Sequence, residues 1–216
     1  MGLYNNIILF MKADIFSKIE KATITLIKKG GQGVLIKNQM ILTAAHCIEY
    51  SFSGSMVLGG YDFYQEIETR TGKFYVSPIA VEPVNDIALL GAPDNQERYI
   101  EYEKFDNFCT NTEPILICKN NLEVGKKFKV FIYTHELKWI TGYAKLGFPD
   151  SPMLWVEANQ QVKCGTSGSA IVNEQGEIVG IVSSFSETEK SDGSSPRPLL
   201  ALPVWICRQI LKEGDT

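Results

Sequence analysis

The stretch Ile41-Leu42-Thr43-Ala44-Ala45-His46-Cys47 carries an apolar, strand-like run straight into a histidine. Alone, such a histidine is most often a core or surface residue. Two further blocks change its meaning. In Asn85-Asp86-Ile87-Ala88-Leu89-Leu90 one aspartate heads an apolar strand, where the ordinary reading is a turn residue or cap. In Cys164-Gly165-Thr166-Ser167-Gly168-Ser169-Ala170 a serine sits in a glycine-rich turn, a weak signal by itself because Gly and Ser are common in turns. Together they supply the three groups of one chemistry. A serine hydroxyl is a poor nucleophile at neutral pH and needs an adjacent base. Histidine serves because its pKa lies near the working pH. Aspartate fixes the imidazole tautomer and stabilises the imidazolium.

Outward from these blocks the chain reads as short strands. Apolar runs recur at Ala22–Ile27, Val34–Ile36, Met40–Ala44, Met56–Leu58, Ile79–Val81 and Ile87–Leu90, with Lys37-Asn38-Gln39 as a hairpin turn. Residues 91–113 are polar and read as a connector. Runs resume at Ile115–Cys118, Phe128–Tyr133, Trp139–Tyr143, Met153–Val156, Ala170–Val172 and Ile178–Val182, and Ser186–Pro198 reads as a surface loop. Ile15, Phe16 and Ile19 share a face of a short helix near the start, and Val204, Ile206, Ile210 and Leu211 suit a helix at the end. Many short strands with helix only at the ends predict an all-β protein, a barrel or sandwich in two halves. The expected division is an N-terminal helical segment (1–21), a half carrying His46 and Asp86 (22–105), a half carrying Ser167 (106–203) and a C-terminal helix (204–216).

The bulk composition fits. With 216 residues, 44% hydrophobic and 21% charged, the chain has the make-up of a globular protein. A net charge of -4 without a basic run gives no reason to expect nucleic acid. Five cysteines (Cys47, Cys109, Cys118, Cys164 and Cys207) form neither a disulfide framework nor a CxxC zinc pair, and read as free thiols of a reducing compartment. The apolar run Ile7–Met11 is shorter than the ~20 residues of a membrane span and lacks the flanks of a signal peptide. Asn6 stands where a myristoylation signal has Ser or Thr. The expected location is the cytoplasm, with no membrane partner.

In this order, the blocks around His46, Asp86 and Ser167 resemble the trypsin-like serine proteases, and the chain is most similar in style to the intracellular and bacterial HtrA-like branch. The likeness runs from about Ala22 to Leu211. Gly176–Ser183 and Leu200-Ala201-Leu202-Pro203-Val204 also fit it. It implies a chymotrypsin-like fold of two six-stranded antiparallel β-barrels and a catalytic triad of His46, Asp86 and Ser167. It further implies an oxyanion hole from the N–H groups of Gly165 and Ser167, and no cofactor or metal. Gln161 falls at the base of the specificity pocket, and Ser183 and Phe185 fall in the segment that pairs with substrate. Arg197 reads as a solvated loop charge and His135 as structural.

Two features depart from the digestive members. Those enzymes pair a freed N-terminal amine with an aspartate just before the nucleophile; here that position is Thr166, so no N-terminal cleavage is expected to be needed. Their disulfide beside the catalytic histidine is missing, since the position opposite Cys47 is Gly31. The resemblance implies a serine endopeptidase acting on protein or peptide substrates, with room for a regulatory protein partner. The alternative is a catalytically silent protease fold used as a binding module.

Overall fold

The computed structural model describes residues 13–49, 64–120, 122–147, 154–185 and 198–199. The chain enters on a helix, α1 (residues 13–22), and then forms six strands: β1 (Thr23–Leu26), β2 (Gln32–Ile36), β3 (Met40–Ala44), β4 (Gln65–Thr69), β5 (Gly72–Glu82) and β6 (Ile87–Gly91). They close into an antiparallel barrel in the order β1-β2-β3-β6-β5-β4. Closure removes the unpaired edges that would otherwise template aggregation. Every residue of β2 and β6 is buried, which is why Val34–Ile36 and Ile87–Leu90 read as unbroken apolar runs. β4 has Ile67 as its only apolar residue, and sequence periodicity passes over it.

The second half is a sheet of seven strands rather than six. They are β7 (Phe128–Tyr133), β8 (Trp139–Leu146), β9 (Leu154–Ala158), β10 (Ala170–Val172), β11 (Ile178–Ile181), β12 (Ser184–Phe185) and β13 (Pro198–Leu199), in the order β11-β10-β7-β8-β9-β13-β12. The all-β chymotrypsin-like fold is therefore present, as a closed barrel beside a second curled sheet. Ile115–Cys118 is not a strand; Ile117 makes only an isolated bridge to Ile178. The expected C-terminal helix, the run Met56–Leu58 and Arg197 lie outside the described residues.

Helix is not confined to the chain ends. α2 (Tyr99–Asn111) occupies the polar connector. Only Phe105 and Phe108, one turn apart, are buried along it, and both meet Phe74 of β5, at ring separations of 6.3 and 5.8 Å. Two aromatic anchors suffice to dock such a helix but are too few to give a periodic signal. α1 ties the halves together: Ile19 is buried in the barrel core, while Phe16 stacks on Phe131 and Trp139 of the second sheet at 5.2 and 4.3 Å.

Candidate active site

Register brings the first two groups together. β3 pairs with β6 so that Ala44 lies opposite Ile87. One step further, Ala45 N–H donates to the Asp86 carbonyl at 3.0 Å. The chain after β3 then turns through a short 3-10 segment, Ala45–Cys47, which swings His46 toward Asp86. Asp86 has φ 58°, in the left-handed region that Asp tolerates better than most residues. The tight turn before it is held by the Glu82 carboxylate, which accepts from the Asn85 N–H at 2.7 Å and its side-chain amide at 2.6 Å.

Asp86 then grips His46 twice. Oδ1 accepts from the His46 backbone N–H at 2.9 Å, and Oδ2 faces Nδ1 at 2.7 Å. The Ser183 hydroxyl donates to the same Oδ2. Burial pushes the Asp86 carboxyl up, but the hydrogen bonds from His46 and Ser183 outweigh it and hold the group below the ordinary carboxylate value. The hydrogen bond to Asp86, with a further contribution from Cys47, in turn holds the His46 imidazole well above its ordinary 6.5.

Ser167 arrives from the other half, and its carbonyl accepts from the Gln32 N–H of β2 at 2.7 Å. Its hydroxyl rests 3.5 Å from the Ser183 carbonyl. Ser183 thus touches both Asp86 and Ser167. The sequence reading put it with the substrate-binding residues; its side chain is committed to Asp86. The third expected member, Ser167, joins the His46–Asp86 pair through Ser183 and makes no hydrogen bond to His46 among the described residues.

The turn carrying Ser167 is shaped by two glycines with positive φ, Gly165 at 90° and Gly168 at 82°. Within it Thr166 N–H donates to Lys163 O, Ser169 N–H to Thr166 O, and Gly168 N–H to Val182 O. Among the described residues no backbone acceptor is found for the N–H groups of Gly165 and Ser167. A buried polar cluster backs the turn: Gln32, Thr43 and Ser169 are each no more than 1% exposed. The Ser169 hydroxyl reaches Gln32 Oε1 at 2.5 Å, and the Thr43 hydroxyl donates to Gln32 O at 2.6 Å. Gln32 was missed in the sequence, although a glutamine heading a wholly buried strand is the available signal.

Gly168 presses on this cluster. A Cβ there would lie 1.9 Å from Gln32 O and 2.5 Å from the Thr43 hydroxyl. Neither neighbour can yield, since one is strand backbone and the other is hydrogen-bonded to it. Gly168→Ala is expected to destabilise the protein by about 3 kcal/mol or more, from left-handed strain plus the clash. Urea unfolding checks this, and a midpoint equal to the parent's would contradict the packing described.

The remaining candidates lie as follows. Gln161 is exposed in an irregular segment. The backbone of Phe185 pairs with Pro198. Cys47, Cys109, Cys118 and Cys164 are free thiols. A Cβ built on Gly31 would sit 2.5 Å from Cys47 Sγ, so Gly31 does stand opposite Cys47. His135, read as structural, lies against the turn: its Nδ1 is 3.1 Å from the Thr166 hydroxyl.

Comparison with known proteins bears on the fold and the family. A structure of Rv3671c from M. tuberculosis in an inactive form is similar at 15% identity and a TM-score of 0.59, covering 96% of this chain and 93% of that one. The serine endoprotease from Yersinia pestis is similar at 17% identity and a TM-score of 0.61, covering 94% of this chain and 65% of that one. At such identities the likeness speaks for the fold. The family model for the trypsin-like peptidase domain matches residues 31–181, a span that includes His46, Asp86 and Ser167. The chain belongs to the trypsin-like peptidase family.

Proposed function

We propose that the protein is a serine endopeptidase that cleaves peptide bonds in protein substrates through an acyl-enzyme on Ser167. The observation that carries this reading is the two-point grip of Asp86 on His46, at 2.9 and 2.7 Å, with Ser183 bonded to Asp86 and also within reach of the Ser167 hydroxyl. A fold kept only for binding has no use for an imidazole held in one orientation. In the proposed reaction the Ser167 hydroxyl leaves the Ser183 carbonyl by rotating between staggered wells and gives its proton to His46 as it attacks the substrate carbonyl. The tetrahedral oxyanion is received by the N–H groups of Gly165 and Ser167. His46 then protonates the leaving amine, and water repeats the sequence to release the acid. Substrate backbone is proposed to lie along Ser183 and Phe185, with Gln161 at the pocket base. The cytoplasm is the proposed location.

The test is digestion of an unfolded protein, with new N-termini read by mass spectrometry. Wild type should generate termini that the Ser167→Ala protein does not. If both bind the substrate and neither cuts it, the fold is a binding module.

The raised pKa of His46 fixes the pH dependence. Only the neutral imidazole accepts the serine proton, so activity appears as pH rises through that pKa. The acid limb of kcat/KM should therefore lie above pH 6.5, the ordinary histidine value. A limb at or below 6.5 would show that the Asp86 carboxylate does not act on His46 as the geometry implies.

A further inference from the structure

The turn that carries Ser167 needs something to hold it. Its two glycines at positive φ resist little, and the partnership used by the digestive enzymes is ruled out because Thr166 bears no charge. Thr166 is nonetheless fully buried, and a buried hydroxyl requires a partner. That partner is His135, with Nδ1 at 3.1 Å. The imidazole also lies against the backbone of Gly165: a Cβ there would fall 3.1 to 3.4 Å from three ring atoms. One residue on, Glu136 pairs with Lys163 at 2.7 Å, at the start of the same turn.

Both residues come from the tip joining β7 to β8, which is braced by its own hydrogen bonds. Tyr133 pairs with Trp139 at its base, Thr134 N–H donates to Lys138 O at 2.9 Å, and Leu137 N–H returns to Thr134 O at 2.9 Å. Trp139 is tied to α1 through its indole N–H, which donates to Glu20 at 2.9 Å.

We propose that this hairpin tip is the clamp that sets the oxyanion turn, with His135 as the positioning residue and the Thr166 hydroxyl as the group it holds. The proposal rests on the protease reading of the site. The exposed Glu136–Lys163 pair is the lesser attachment, because solvent-exposed ion pairs contribute little.

The test compares His135→Phe, which keeps a ring against Gly165 without the hydrogen bond, with His135→Asn, which keeps a polar atom near the Nδ1 position. Amide exchange is followed by NMR at Thr166 and Ser169, whose N–H groups are bonded within the turn, and at Leu42 and Ala88 in the barrel. In His135→Phe, exchange at Thr166 and Ser169 should rise about tenfold or more, as for a buried hydroxyl deprived of its partner. Exchange in the barrel should be unchanged, and His135→Asn should stay within about threefold of wild type. Peptidase kcat should fall in parallel with KM nearly constant. Thr166→Val removes the same bond from the other side and should reproduce the exchange result, so the test survives a poorly folding His135 variant. Exchange in the turn that matches wild type in His135→Phe and Thr166→Val overturns the clamp, as does exchange that rises equally in the barrel. If Ser167 proves unreactive even in wild type while exchange responds as stated, the clamp stands and the protease reading falls.

Discussion

Ser167→Ala is expected to lower peptidase kcat by about a millionfold, to the level that transition-state binding alone sustains. The loss follows from the removal of the atom proposed to form the acyl bond, since neither other hydroxyl of the turn substitutes for it. Thr166 is buried with its hydroxyl on His135, and the Ser169 hydroxyl is committed to Gln32. The fold should survive. Among the described residues the Ser167 hydroxyl makes one long contact of 3.5 Å, whereas the backbone bond from Gln32 N–H to Ser167 O, which anchors the turn, is untouched by the substitution. Thermal unfolding close to wild type together with lost turnover would separate chemistry from stability. Undiminished cleavage by the alanine protein would move the nucleophile elsewhere.

Asp86→Asn should lower kcat by about 10⁴-fold. Asparagine tolerates the left-handed backbone at φ 58° as aspartate does, so the turn should persist. Neither orientation of the amide holds the His46 imidazole in the tautomer that the carboxylate selects. With its NH₂ at the Oδ2 position it donates to Nδ1 of His46 and drives the imidazole proton to the ring nitrogen that must be bare to act as base, while the Ser183 hydroxyl turns to accept. With NH₂ at the Oδ1 position it faces the His46 backbone N–H instead. Loss of the carboxylate also removes the largest cause of the raised His46 pKa, so the residual activity should show an acid limb shifted toward lower pH. Steady-state rates across pH check both points. A variant with near-wild-type kcat would mean that another group orients His46.

Two of the residues assigned to the proposed chemistry border buried strands, which marks them in the sequence. His46 follows β3 and Asp86 precedes β6, and both strands are buried runs that announce themselves in the sequence. The register that joins them is a property of the closed barrel, and no local pattern encodes it. Three things were hidden for the same reason. Gln32 and Ser169 are far apart in sequence, and their contact exists only once the halves dock. Ser183 looked like part of a substrate strand because its alignment says nothing of where its hydroxyl turns. His135 looked structural because a lone histidine in a hairpin usually is. α2 escaped for a different reason, since its burial rests on two phenylalanines amid polar residues.

The central claim, that Ser167 is an activated nucleophile, is tested most directly by treating the full-length protein with a fluorophosphonate. The adduct is then measured by intact mass and located by peptide mapping. One adduct per chain is expected, on Ser167, carried by molecules that retain their N-terminal segment, abolished in Ser167→Ala and greatly slowed in His46→Ala. Absence of any adduct on wild type, or an adduct on a different serine with Ser167 unmodified, would contradict it.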